Sequence, residues 1–219
     1  IGATIMKKTY AVFGLGRYGR AVATELTAGG AEVLAVDIND ETVTDAAADL
    51  PICKCADVTD PEVIKRLGTA NIDTVIVAMA ANLEASVMAT ILCKEAGVKT
   101  VITKCANDIH RKIYEKIGAD KVIIPEKESG KRLAKNLLSS GFIDLVELSD
   151  NISMAELDVR DEWVGKSPAT LDLRKKYSIN IVAVKSGDTV ETSIDPQLPL
   201  TKEMKLIVIA DTSKFDGIK

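Results

Sequence analysis

From Thr9 to about Pro125 the chain alternates six short apolar runs with helix-length segments, and this alternation restricts the fold more than anything else in the sequence. The runs are "YAVFG", "EVLAVD", "ICKCA", "TVIVAMA", "TVITK" and "KVIIP". Strands that are apolar throughout, each followed by a helix, call for a parallel sheet covered on both faces. The punctuation agrees. Asn82 is placed to cap a helix ending at Gly97, Asn107 or Asp108 one ending at Gly118, and Asp60-Pro61 opens a third.

After Pro125 the pattern changes. "EKESGKRLAKNLLSSG" reads as a connecting helix with Leu133, Ala134, Leu137 and Leu138 on one face. Then come "FIDLVELS", "SMAELDV", "INIVAVKSG" and "KLIVIAD", with one short helix, "SPATLDLRKKY", between the second and third. The predicted fold is α/β: a Rossmann-type doubly wound parallel sheet followed by a small α+β domain. The domains expected are 9–141 and 142–219, within the usual range of domain sizes.

The 219 residues are 47% hydrophobic and 27% charged, which is enough apolar material for a core and unlike a disordered chain. A formal net charge of −4 and a pI near 5.2, with no basic run, argue against nucleic acid as a partner. Direct membrane insertion is not expected either, since the longest apolar stretch, from Val75, is interrupted by Asn82 and Glu84. The leading "IGATI" has neither a basic start nor a cleavage pattern and is set aside, so a cytoplasmic location is expected. Cys53, Cys55, Cys93 and Cys105 lie in or beside apolar runs and read as buried thiols of a reducing compartment. A metal site at Cys53 and Cys55 would be the sharper reading, but it lacks a second ligand pair.

Gly14, Gly16 and Gly19 form G-x-G-x-x-G directly after the first strand, where a helix opens. The first glycine permits the tight turn, the second lets a diphosphate approach the backbone, and the third lets helix and strand pack closely. The helix N-terminus then offers free N–H groups and a partial positive charge. Asp37 ends the second strand 18 positions past the third glycine, where a carboxylate accepts from ribose hydroxyls and repels a 2′-phosphate. NADP is therefore disfavoured; the plainer reading makes Asp37 a turn cap.

Arg17 sits inside this turn. A guanidinium supplies planar donors for a terminal phosphate, which NAD lacks, so the residue tilts the ligand toward ATP or ADP. A solvent-facing arginine is the plainer alternative. Lys104 ends the fifth strand, at the edge where ligands of such sheets sit. Glu126 follows the sixth strand and is placed either to meet a divalent cation or to complement a helix dipole. The single histidine, His110, suits a structural role, and no Ser-His-Asp grouping, G-x-S-x-G or H-E-x-x-H occurs. No enzyme activity is expected.

The segments "YAVFGLGRYGRAV", "EVLAVDIN", "VIVAMAANLEAS", "EKIGADKVIIPE" and "LDLRKKYSINIVAVKSGD" resemble the RCK proteins (TrkA-N/TrkA-C) that regulate potassium uptake, most closely the cytosolic gating subunits of Ktr-type, Trk-related transporters. The resemblance covers nearly everything from Thr9 to Asp211. It implies a domain binding ATP or ADP and homodimers assembled into an octameric ring beneath a membrane potassium-translocating subunit. Nucleotide would then change the ring's shape and bias the pore.

By the same resemblance the nucleotide would run along Gly14, Leu15, Gly16, Arg17, Tyr18 and Gly19, with Arg17 reaching the terminal phosphate. Asp37 would hold the ribose, Asp57 would lie by the adenine, although Val58 beside it replaces a more usual small residue, and Lys104 would meet phosphate. Ile38, Asn39, Val58, Ala78 and Met79 would also line the nucleotide site. Glu126 would help bind Mg²⁺ or another cation at the dimer contact. Cyclic di-AMP would sit between two C-terminal lobes at Asp172, Arg174 and Asn180. A small NAD(H)-dependent oxidoreductase or redox sensor is the alternative, and a ring subunit with a vestigial pocket is a third reading.

Overall fold

The six runs form strands because each is short, rich in β-branched residues and stopped by a turn residue. The computed structural model describes residues 8–138, 142–149, 151–211 and 213. It places the strands at β1 (Thr9–Phe13), β2 (Glu32–Asp37), β3 (Cys53–Cys55), β4 (Thr74–Val77), β5 (Thr100–Lys104) and β6 (Lys121–Ile123). Between them lie α1 (Arg17–Ala28), α2 (Asp40–Ala46), α3 (Pro61–Arg66), α4 (Leu83–Glu95) and α5 (Asp108–Lys116). All pairings are parallel, in the doubly wound order β3-β2-β1-β4-β5-β6.

Alternation along each strand divides the core between the two faces. Phe13, Val75, Val77 and Val101 pack with Ile64 of α3 and Leu92 of α4, whereas Val12, Val33, Ala35 and Ile76 pack with Ala23 of α1 and Val43 of α2. Helix starts are set by side chains: Asn39, Asp60, Asn82 and Asn107 each accept a backbone N–H of the following turn. Gly97 and Gly118, at φ +82° and +91°, turn the chain out of α4 and α5.

The chain divides between Pro125 and Glu126 into two compact units. The connecting helix is α6 (Pro125–Leu138), on which Leu133 and Leu137 are 60% and 77% exposed. Then follow β7 (Phe142–Glu147), β8 (Ile152–Asp158), a 3₁₀ turn at Asp161–Trp163, α7 (Pro168–Leu171), α8 (Leu173–Tyr177), β9 (Asn180–Ser186), β10 (Thr189–Glu191) and β11 (Met204–Asp211). These strands make an antiparallel sheet ordered β10-β9-β11-β8-β7, packed on Trp163, Leu171, Leu173 and Ile179.

Three sequence expectations change. The single helix over "SPATLDLRKKY" is two, broken at Asp172, which takes a left-handed conformation at φ +45°. Leu171 and Leu173 are both buried, and on one continuous helix, at about 100° per residue, they would face opposite ways; the break lets both enter the core. Strand β10 was not expected, because its three residues are exposed and carry no apolar alternation. Finally, only Cys93 and Cys105 are buried: Cys53 is half-buried and Cys55 exposed, since β3 is a three-residue edge strand. Burial pushes the Cys93 thiol up to about 12.

At the N-terminal edge of the parallel sheet, Asp73 ties three strands together. It accepts from Lys99 Nζ at 2.8 Å, from Thr9 N at 3.1 Å and from Thr9 Oγ1 at 3.2 Å. These bonds, the Lys99 one foremost, hold its carboxyl down to about 2. Because the folded value lies below that of an unfolded aspartate, about 3.9, the stabilisation is complete above about pH 4 and is lost as pH falls toward 2. Asp73→Asn should therefore melt below the parent at pH 7, and thermal unfolding followed at pH 7, 4 and 2 should show the gap closing with acid.

Candidate functional site

The glycine turn connects β1 to α1 at the point where the sheet order reverses, the crevice in which open α/β sheets take ligands. Its three glycines do three different things. Gly14 sits at φ +92°, and a Cβ there would stand 2.6 Å from Met79 Cγ and 3.3 Å from the Ala78 carbonyl carbon. At Gly19 a Cβ would collide with the Gly14 carbonyl oxygen and approach Ala78 Cβ to 3.1 Å, so the start of α1 lies against the turn itself. Gly16 is otherwise: its φ of −63° suits any residue, and a Cβ would meet nothing within 4 Å. The fold makes no demand for glycine at position 16. Bare backbone there faces open space, as close approach by a diphosphate requires.

Asp37 braces the turn. Its Oδ2 accepts the Leu15 N–H at 2.7 Å and its Oδ1 the Asn39 N–H at 2.9 Å. Each oxygen keeps a lone pair for a ribose hydroxyl, so the turn-capping and ribose-binding readings are compatible. Leu15 contributes this N–H while its side chain is buried in the core. Asn39 caps α2, and Ile38 between them is 68% exposed.

Asp57 follows β3 and is exposed, with both Thr59 Oγ1, at 2.6 Å, and Thr59 N, at 2.9 Å, donating to Oδ1. Those bonds lower its pKa, the hydroxyl contributing most. Oδ2 faces outward as the remaining acceptor. Thr59 was missed in the sequence, although Asp-x-Thr is the signature of a side-chain turn. Val58 turns into the core and leaves only its backbone at the sheet edge.

Charge at the turn is positive. The starts of α2, α3, α4 and α5 each have a side-chain cap and an acidic residue in the first turn; α1 has neither. Its free N–H groups and partial positive charge are left for an outside anion. Arg17, the first residue of α1, is exposed, and no carboxylate among the described residues pairs with it. Lys104, from the end of β5, holds its Nζ 5.5 Å from the centroid of the Tyr18 ring. Ala78 and Met79 close the turn from the end of β4, Ala78 N donating to Phe13 O at 2.7 Å.

The other predicted residues lie in the second unit. Glu126 is in the first turn of α6. Among the described residues no group of three or more His, Cys, Asp or Glu could hold a metal ion, so Glu126 alone makes no cation site. Asp172 pairs with Lys175 at 3.3 Å, while Arg174 on α8 and Asn180 at the start of β9 are exposed. His110 takes part through its backbone N–H, which donates to Asn107 Oδ1 at 2.9 Å.

The TrkA-N domain profile matches residues 10–125, the whole parallel sheet. The chain belongs to the TrkA-N domain family. Within it, Ktr system potassium uptake protein C of Bacillus subtilis (strain 168) is 41% identical over 214 residues, covering 96% of this chain and 97% of that protein. Ktr system potassium uptake protein A of the same organism is 37% identical over 216 residues, 97% of each. Among solved structures the GsuK RCK domain superposes with a TM-score of 0.65 at 16% identity, over 99% of this chain and 48% of that one. The GsuK channel bound to NAD gives 0.64 at 16%, over 97% and 39%. These two likenesses establish a shared fold.

As a TrkA-N turn, the site separates packing from binding. Gly16→Ala should fold with a loss of about 1 kcal/mol, that of a poorer N-cap, while nucleotide affinity drops about tenfold or more, the worth of one charged hydrogen bond. Gly19→Ala should cost about 1–3 kcal/mol through overpacking. Chemical denaturation and calorimetric titration of both variants would check the contrast; equal effects on folding and binding would contradict it.

Proposed function

We propose that this chain is the cytosolic, nucleotide-sensing regulatory subunit of a potassium transporter, in which exchange of ATP and ADP changes the conformation of a ring and so gates transport. The observation that carries the reading is Arg17: an exposed guanidinium without a carboxylate partner among the described residues, at the one helix start among α1 to α5 that has no side-chain cap. The potassium-uptake names of the relatives matched over nearly their full length support the transport role.

In this reading 9–141 is the nucleotide domain and 142–219 the regulatory one. Asp37 holds the ribose, Asp57 borders the adenine, and Lys104 and the α1 N-terminus take the shared phosphates. Arg17 meets the γ-phosphate. Glu126 contributes to a cation only together with phosphate oxygens and ligands from a second copy. That copy has a surface to use, since Leu133 and Leu137 stand one turn apart on α6, both exposed. Cyclic di-AMP is assigned to Asp172, Arg174 and Asn180 of the second unit. The membrane subunit is the outside partner, in keeping with the absence, among the described residues, of any helix long and apolar enough to span a bilayer.

ATP and ADP share adenine, ribose and two phosphates, so any difference in the state they favour must come from the third. Arg17→Ala should keep adenosine binding and abolish the ATP/ADP difference in conformation or transport, read by scattering from the assembled protein or by flux in vesicles holding the membrane subunit. A variant that still responds differently to the two nucleotides removes Arg17 as the sensor. Thermal shift with ATP, ADP and NADH decides the alternative: a larger shift with NADH would favour an NAD-binding redox protein. Leu133→Glu with Leu137→Glu should lower the oligomeric state in sedimentation while leaving nucleotide affinity per chain within about twofold, an exposed apolar strip having no part in the fold of the first unit.

A further inference from the structure

Lys104 approaches the first turn of α1 from two strands away. It ends β5, and β4 lies between β5 and β1, so its backbone is two strand spacings, about 10 Å, from the strand that carries the turn. A lysine stem covers only part of that distance and the Tyr18 side chain the rest; the stem is flexible and loses rotamer freedom when ordered. Among its contacts is the ring of Tyr18, the second residue of α1, with Nζ 5.5 Å from the ring centroid. Both side chains are half-buried. The ring's negative face attracts the ammonium and holds it beside the uncapped helix start.

Resting on the nucleotide reading above, we propose that Tyr18 is a positioning residue for the phosphate site: it holds the Lys104 ammonium at the glycine turn before ligand arrives, so that less ordering is left for binding. The contribution proposed is that of the ring face. Tyr18 thereby acts on nucleotides according to their phosphates and leaves adenosine recognition at Asp37 and Asp57 untouched.

The test is calorimetric titration of the full chain with ADP and with adenosine at low salt. Tyr18→Leu should weaken ADP binding about two- to fivefold, the worth of one partly exposed cation–π contact, with adenosine unchanged and Tyr18→Phe equal to the parent. In a Lys104→Met background, Tyr18→Leu should have no further effect. Should Tyr18→Leu fold poorly, stepwise fluorination of phenylalanine at position 18 drains the ring face without changing its shape, and ADP affinity should fall in steps. Equal loss of adenosine and ADP, a full effect of Tyr18→Leu without Lys104, or indifference to fluorination would each overturn the proposal. Failure of the parent chain to prefer ADP over adenosine would instead remove the phosphate reading itself, and this inference with it.

Discussion

The short hydrogen bond from the Leu15 N–H to Asp37 Oδ2, 2.7 Å long, holds the site together. It joins the loop after β1 to the end of β2, and the same carboxylate reaches Asn39, whose side chain starts α2. One acidic group thus fixes the glycine turn, the second strand end and the following helix. A hydrogen bond to a charged acceptor contributes about 1.5–3 kcal/mol, so this brace rivals the burial of an aliphatic side chain. On the proposed reading, a ligand bound at Asp37 would be coupled directly to the turn that would carry phosphate.

Electrostatics around the turn work against the charge of the chain as a whole. With a net charge of −4, an anion meets repulsion at long range, but that field is screened within about 10 Å in ordinary salt. Inside that distance the balance is local: an uncapped helix start, Arg17 and Lys104 on one side, and Asp37 on the other with part of its charge spent on two N–H groups. The lack of acid in the first turn of α1, when α2 to α5 all carry it, leaves the partial positive charge of that helix start unopposed within its own helix.

What was legible in the sequence was local. Caps at Asn82, Asn107 and Asp60, stops at Gly97 and Gly118, and the three glycines act through their own backbone or within one turn, so residue type alone announces them. The features that escaped are settled by tertiary packing. Asp172 breaks a helix because two leucines two positions apart both enter one core. Cys55 is exposed because β3 lies at the edge of the sheet, a fact of strand order and not of composition. The Val58 side chain packs in the core, and Lys104 meets Tyr18 across 86 positions of chain. Asp37 was legible in position but not in its double duty, since nothing in the spacing indicates that its carboxylate already serves the turn.

The size of the Arg17 contribution also limits what a single chain can accomplish. One charge-assisted hydrogen bond, at about 1.5–3 kcal/mol, biases a two-state equilibrium by roughly ten- to a hundredfold. Carrying a population from 1:99 to 99:1 takes about 5.5 kcal/mol. A lone subunit reading the third phosphate through one guanidinium therefore falls short of a complete switch, whereas two to four copies biasing one shared equilibrium reach it, because their differential energies add. A sensor built on a single arginine is thus physically matched to an assembly. On the proposed reading, the exposed Leu133 and Leu137 would supply an apolar strip holding such copies together, and the same energetics would let so modest a chemical difference between two nucleotides move a structure many times their size.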